Sequence, residues 1–182
     1  MNRNGSGFLL NGIPQQIPLL ATGPRIFISH ASADKEFCDI FVELLTSIGF
    51  TERTIIYTSR SEFGVPNGVE IFDYLRTNLG NRQLWVFFML SENFYSSPYC
   101  LNEMGAAWVR QNKSHNILLP KFGHKDVRGV VSKNQLALDL CDPVRLTELL
   151  QEFRKIWQLP ISPTMWAGIQ QNFISKMKKM YG

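Results

Sequence analysis

The sequence predicts an α/β fold in which a parallel sheet is covered by helices on both faces. Apolar β-type runs alternate with helix-type segments along most of the chain, which is typical of strands joined by helical crossovers. The run Leu84–Leu90 is apolar throughout, as expected of a strand buried on both faces. At 182 residues, 45% of them hydrophobic, the chain is long enough for one domain with a sizeable core.

The first half of the chain predicts two strand and helix pairs. A strand at 25–29 precedes a helix whose apolar residues between 37 and 48 follow an i, i+3, i+4 spacing. Asp34 is its predicted N-cap, and Gly49 marks its end. A second strand at 54–58 leads into a loop at 59–68 that contains two glycines and a proline, and a helix follows at 69–79.

The second half continues the alternation. After the strand at 84–90, Ser97 is a plausible N-cap and Pro98 suits the first helical position, so we expect a helix to about residue 111. Strands are predicted at 117–120 and 135–140, and helices open at Asp142 with Pro143 and at Ser162 with Pro163. Joined by right-handed crossovers, these elements predict a single flavodoxin-like domain.

We expect three segments in the domain organisation. Residues 1–23 form an irregular arm, because polar residues and prolines interrupt their apolar stretches, and they carry no convincing targeting signal. The domain covers 24–158, and 159–182 forms a C-terminal helix packed on it. No apolar stretch approaches the roughly 20 residues of a membrane span. The three cysteines are odd in number and far apart, so we expect reduced thiols and a cytoplasmic location. Because we find neither a membrane span nor a second domain in the sequence, we expect a standalone protein without membrane partners.

Several chemistries lack their usual motifs. The glycine patterns of P-loop and dinucleotide folds and the G-x-S-x-G elbow are absent from the sequence. Its three histidines have no metal-ligand spacing, so no metal site is expected. The net charge is +4, and the lysines at 176, 178 and 179 fit a helix C-terminus better than a nucleic-acid footprint.

The candidate catalytic residue lies in the segment at 96–103. Tyr99 and Glu103 are four residues apart, so the predicted helix places them on one face. That helix is entered from the carboxyl end of a buried strand, where open α/β sheets bind ligands. Most glutamates are solvated, so an ordinary solvated helix residue is the alternative for Glu103.

Four segments together resemble a bacterial TIR (Toll/interleukin-1 receptor) domain. They are Arg-Ile-Phe-Ile-Ser-His-Ala-Ser at 25–32, the glycine and proline loop, Leu-Ser-Glu-Asn-Phe at 90–94 and Tyr-Cys-Leu-Asn-Glu at 99–103. They occur in the family's order across about residues 24–158. The resemblance implies a five-stranded parallel sheet. Many bacterial members cleave the nicotinamide–ribose bond of NAD, and others only assemble signalling complexes.

The resemblance also implies roles for individual residues. Glu103 matches the family's catalytic glutamate, and Tyr99 stands where many enzymatic members have tryptophan. The other candidates for substrate binding are Ser29, His30, Ser32, Arg60, Phe63, Gly68 and Ser91. Alternatives remain: Ser32 capping the first helix, Ser91 in a turn, and Gly68 serving a positive φ.

We therefore expect an enzyme that acts on NAD as substrate and needs no cofactor. It is a glycohydrolase or a cyclase giving ADP-ribose or a cyclic or substituted ADP-ribose. It resembles the TIR component of antiphage systems such as Thoeris, in which the product activates a separate effector. The loop at 59–68, with Phe63 as an exposed anchor, is expected to mediate self-association. The alternatives are a non-catalytic interaction module or virulence factor acting on host TIR signalling, and a nucleoside transferase.

Overall fold

A five-stranded parallel sheet forms the centre of the protein. The computed structural model describes residues 24–64, 71–79, 83–130 and 137–181, so the predicted arm at 1–23 and Gly68 lie outside the described residues. The strands run in the order β2-β1-β3-β4-β5, and each neighbouring pair is parallel. They are β1 Arg25–Ser29, β2 Ile55–Ile56, β3 Leu84–Leu90, β4 Lys113–Leu118 and β5 Leu138–Asp139. The predicted fold class is therefore confirmed.

Helices connect the strands and cover both faces of the sheet. They are α1 Lys35–Ser47, α2 Ile71–Leu79, α3 Glu92–Ser96, α4 Pro98–Arg110, α5 Pro143–Ile156 and α6 Pro163–Tyr181. The start of α4 is as predicted, because the Ser97 hydroxyl accepts the backbone N–H of Cys100 and proline takes the first turn. Asp142 caps α5 in the same way.

The alternation of side chains along the strands creates two cores. Ile26, Ile28 and Phe87 pack with residues of α1, α5 and α6, whereas Phe27 and Phe88 belong to the core that lies against α4. The C-terminal helix α6 contributes Trp166, Phe173 and Met177 to the first of these cores. This helix is therefore packed on the domain.

Three strands differ in extent from the prediction. Of the described residues in the predicted strand at 135–140, only Leu138–Asp139 form β5. β4 begins at Lys113, four residues earlier than expected, because its polar side chains pack on aromatic rings. The Lys113 ammonium lies 3.8 Å from the centroid of the Trp85 ring, and the His115 ring stacks on Phe87 at 4.8 Å between centroids. β2 is confined to two residues, since Tyr57 already donates its backbone N–H to the carbonyl of Phe63 at 2.8 Å.

No helix in the part of the chain that the structure describes has the length and apolar character needed to cross a membrane.

Candidate active site

The carboxyl ends of the central strands bring the predicted site together. β1 and β3 are neighbours, so Ser29, which ends β1, and Ser91, which follows β3, lie at the same edge of the sheet. The helix α4 places Glu103 at this edge, where the Ser29 hydroxyl donates a 2.5 Å hydrogen bond to its Oε2. The two residues are 74 positions apart in the chain, and the fold makes them direct partners.

The environment of Glu103 changes its acidity. Partial burial raises the pKa of Glu103 to about 7, because removal from water penalises the charged carboxylate. The hydrogen bond from Ser29 opposes this effect and lowers the pKa. Glu103 is thus not a fully solvated helix residue, and it changes charge close to neutral pH.

The cysteines near this edge remain protonated. Burial raises the pKa of the Cys100 thiol to about 11, and the nearby Glu103 adds to the effect, although a hydrogen bond involving Ser97 opposes it. Burial also raises the pKa of Cys38 well above its usual value. A neutral buried thiol is a poor nucleophile, so Glu103 is the more reactive candidate of the two neighbours Cys100 and Glu103.

A polar cluster around the buried Asp34 was missed by the sequence interpretation. Asp34 occupies the predicted N-cap position, but no side-chain cap is formed there. Its carboxylate instead accepts hydrogen bonds from Ser91 Oγ at 2.5 Å and Asn93 Nδ2 at 2.8 Å. Ser91 Oγ in turn accepts the backbone N–H of Phe94 and caps α3. The cluster therefore ties the loop after β1 to the helix after β3. The signal available in the sequence was the polar residues that follow both strands.

Replacing Asp34 with alanine should lower the free energy of unfolding by about 2 kcal/mol, because it leaves the buried Ser91 hydroxyl without its acceptor and removes the hydrogen bond from the exposed Asn93 amide. Urea unfolding measures this loss, and Glu36→Ala, at an exposed position of α1, is the matched control. A loss equal to that of the control would contradict the structural role of Asp34.

His30 is held in a neutral form beside the same edge. Its Nδ1 lies 3.2 Å from the carbonyl of Ile28, and its Nε2 lies 2.7 Å from the hydroxyl of Ser59. Desolvation lowers the pKa of His30, and its ring lies 4.7 Å from that of Tyr57. With Nδ1 donating to the carbonyl, Nε2 accepts the Ser59 proton, which fixes the orientation of the ring.

The loop after β2 turns two predicted site residues toward α1. Arg60 donates from Nε to Asp39 at 2.9 Å, and its NH2 lies 3.7 Å from Glu43. Partial burial alone would raise the pKa of Asp39, but hydrogen bonds from Lys35, Tyr57 and Arg60 outweigh it and lower the pKa. The guanidinium of Arg60 is therefore engaged with carboxylates of α1.

Phe63 was expected to be an exposed anchor, and this expectation is wrong. Its side chain is partly buried and packs against the core that contains α1 and α6. The reason is the short 3₁₀ turn Ser61–Phe63, which directs the ring inward while its carbonyl accepts from Tyr57. Gly68 and the neighbouring tip of the loop lie outside the described residues.

The remaining candidates lie at the surface. Ser32 is exposed in the 3₁₀ turn Ser32–Asp34, and its neighbour Ala31 takes the N-cap position of that turn. Tyr99 is 63% exposed and stands one helical turn before Glu103. The ring is thus placed to border the edge where Glu103 lies.

Replacing Tyr99 with alanine should impair turnover more than stability, since an exposed side chain contributes little to folding, within about 0.5 kcal/mol. Tyr99→Trp should retain activity, because it keeps an aromatic face. Specific activity and thermal unfolding are measured together, with Val144→Ala, 64% exposed on α5, as control. A large loss of stability with unchanged activity would make Tyr99 a packing residue.

Comparisons with known proteins agree with this geometry. The family profile described as TIR domain matches residues 26–154. The chain is 42% identical over 154 residues to the Bacillus subtilis (strain 168) protein named "Uncharacterized protein YddK". The match covers 85% of this chain and 57% of that relative, so the chain spans little more than half of the relative's length. With most of the sheet and α4 inside both matches, the chain belongs to the TIR domain family.

Proposed function

We propose that this chain cleaves the bond between nicotinamide and ribose in NAD, with Glu103 as its catalytic carboxylate. The main support is the position of Glu103, which is partly buried at the carboxyl edge of the sheet and fixed by Ser29. Its family includes members with this activity. The reaction uses NAD as substrate and needs no additional cofactor.

The chemistry requires one well-placed carboxylate. In NAD the nicotinamide ring is cationic, so when the bond from its nitrogen to C1′ of ribose breaks, the electron pair stays on nitrogen and nicotinamide departs neutral. Positive charge then develops on the ribosyl carbon and ring oxygen, as in glycoside cleavage. An ionised Glu103 opposite this charge stabilises the transition state by about 3 kcal/mol. No acid is needed for a neutral leaving group.

The second half of the reaction uses the same residue. An attacking hydroxyl or water forms a bond to C1′ and loses its proton, which a carboxylate with a pKa near 7 accepts readily. Ser29 keeps the carboxylate oriented toward the sheet edge. Water gives ADP-ribose, whereas a nucleophile within the substrate gives a cyclic product. We further propose, from the family resemblance alone, a role in antiphage defence with an effector that responds to the product.

Incubation of the purified protein with NAD, followed by mass spectrometry of the products, tests the proposal. Release of nicotinamide with ADP-ribose supports a hydrolase, and a product 18 mass units lighter than ADP-ribose supports a cyclase. A parallel incubation with free nucleosides tests the transferase alternative. Failure to consume NAD over a wide range of protein concentration would overturn the proposal in favour of a non-catalytic interaction module.

A further inference from the structure

A serine and a histidine face each other at the carboxyl edge of the sheet, and the cleavage of NAD proposed above does not use them. His30 directly follows β1, and Ser59 follows the end of β2 by three residues. The Nε2 atom of His30 lies 2.7 Å from the Ser59 hydroxyl, although the two residues are 29 positions apart in the chain. Both residues are half-buried, so neither is sealed from solvent. A hydroxyl within hydrogen-bond distance of an imidazole is the first requirement for a serine nucleophile.

The hydrogen bonds of His30 leave Nε2 available as a base. Its Nδ1 lies 3.2 Å from the carbonyl oxygen of Ile28, which can only accept, so Nδ1 carries the hydrogen and Nε2 presents a lone pair to Ser59. The imidazole packs against the fully buried ring of Tyr57, with 4.7 Å between the ring centroids. A hydroxyl, a base and a third group that orients the base together form the geometric signature of nucleophilic catalysis.

The charges around His30 suit the transfer of a proton from Ser59. Burial lowers the pKa of His30, because removal from water penalises the imidazolium, so the ring is neutral at pH 7 and can accept a proton. The hydrogen bond to the backbone carbonyl favours the imidazolium that forms when the proton arrives. The carboxylates of Asp34 and Asp39 act in the same direction, whereas Lys35 opposes them. The pair therefore combines a neutral base with an environment that stabilises its charged form.

Ser59 has a second neighbour in the hydroxyl of Tyr57. That hydroxyl donates its own hydrogen to Asp39 at 2.9 Å, so it meets Ser59 as an acceptor. A phenol oxygen is a much weaker proton acceptor than a neutral imidazole nitrogen. The Ser59 proton is therefore directed to His30.

Two cations lie beside the pair, and both are bound to the same carboxylate. Lys35 donates to Asp39 at 2.5 Å, and Arg60 donates to it at 2.9 Å. A substrate that brings a negative charge to Ser59 would have to compete with Asp39 for these cations. An uncharged substrate meets no such competition, so the surroundings of Ser59 favour one.

We propose that Ser59 is a nucleophile activated by His30 and that this pair hydrolyses uncharged carboxylic esters. The Ser59 oxygen attacks the carbonyl carbon of the ester while its proton moves to Nε2 of His30. The bond from that carbon to the alcohol oxygen then breaks, and His30 gives the proton to the departing alcohol. A water molecule, deprotonated by His30, attacks the acyl carbon, and the proton returns to Ser59 as the carboxylic acid leaves. This activity is additional to the cleavage of NAD and does not require Glu103.

Hydrolysis of p-nitrophenyl acetate by the purified chain, in the absence of NAD, tests the proposal. We expect release of nitrophenol and an acetyl group carried on Ser59, which peptide mass spectrometry locates after rapid acid quenching. His30→Gln should lower the rate at which Ser59 is acetylated at least about a hundredfold, because it removes the general base. Ser61→Ala removes an exposed hydroxyl from the same loop and should leave this rate unchanged.

Two variants of the serine itself separate its chemistry from folding. Ser59→Ala should abolish acetylation at this position, whereas Ser59→Cys should retain it, because a thiol replaces the hydroxyl as nucleophile. Circular dichroism and thermal unfolding identify the variants that are folded. Acetyl groups found only on lysines, or an unchanged rate of Ser59 acetylation in a folded His30→Gln variant, would overturn the proposal and leave the pair as a structural hydrogen bond. Because the reaction contains no NAD, the result holds whether or not the chain cleaves NAD.

Discussion

Replacing Glu103 with glutamine should lower the rate of NAD cleavage at least about a hundredfold while the fold remains intact. Glutamine has nearly the same shape and still accepts the hydrogen bond from Ser29, but it cannot carry the negative charge that faces the ribosyl cation. Because the lost interaction exists mainly in the transition state, kcat and kcat/KM should fall together. Steady-state kinetics with NAD, together with circular dichroism of the variant, measure both parts of this expectation.

The same substitution should make the protein more stable at high pH. The folded state raises the pKa of Glu103 from its ordinary 4.5 to about 7, so it binds more protons than the unfolded state between these values. The protonated carboxyl of Glu103 therefore stabilises the folded state fully below pH 4.5, and this stabilisation is lost as the pH rises through 7. At pH 8, Glu103→Gln should therefore gain about 3 kcal/mol in the free energy of unfolding.

Glu36→Gln, at an exposed position of α1, is the control for both measurements and should change neither activity nor its pH dependence. A folded Glu103→Gln variant that cleaves NAD at a near-normal rate would exclude Glu103 as the catalytic group. A variant that is both inactive and much less stable at pH 8 would mean that the carboxylate serves the fold.

The sequence predicted the strands most accurately where the hydrophobicity of each side chain matches its burial in the sheet. The apolar run of β3 was predicted from end to end, because a strand buried on both faces needs apolar side chains throughout. β4 was predicted too short because Lys113 and His115 look like loop residues. Their rings and stems pack on Trp85 and Phe87, contacts that depend on the neighbouring strand and leave no local signal.

At the candidate site, too, features that follow from local sequence patterns were predicted, whereas contacts between distant side chains were not. Strand order and the cap at Ser97 brought Glu103 to the predicted edge, because these follow from local patterns and from the parallel topology. Local patterns did not predict which side chains hydrogen-bond to each other. Asp34 was predicted as an N-cap but binds Ser91, and Arg60 was a candidate for substrate binding but binds Asp39. Each of these pairs joins residues at least 21 positions apart, and only the folded chain decides between a local cap and a distant partner.

The activity should also depend on pH, with kcat/KM rising as Glu103 loses its proton. The free enzyme must carry the charged carboxylate to stabilise the ribosyl cation, and with a pKa near 7 only about one molecule in a hundred is charged at pH 5. Between pH 5 and pH 8, kcat/KM for NAD should therefore rise roughly a hundredfold, with its midpoint near pH 7. Under saturating NAD the midpoint of kcat should lie lower, because the bound nicotinamide cation favours the charged carboxylate.

Ser29→Ala distinguishes Glu103 from other groups as the origin of this profile. The Ser29 hydroxyl hydrogen-bonds the charged form of Glu103 and lowers its pKa, so its removal should move the midpoint of kcat/KM to higher pH. Ser61→Ala, at an exposed position in the loop after β2, should leave the midpoint unchanged. A residual rate in Glu103→Gln with the same midpoint as the unmodified protein would assign the titration to another residue. A midpoint that moves with Ser29 and disappears with Glu103 would tie the charge required for catalysis to this one carboxylate.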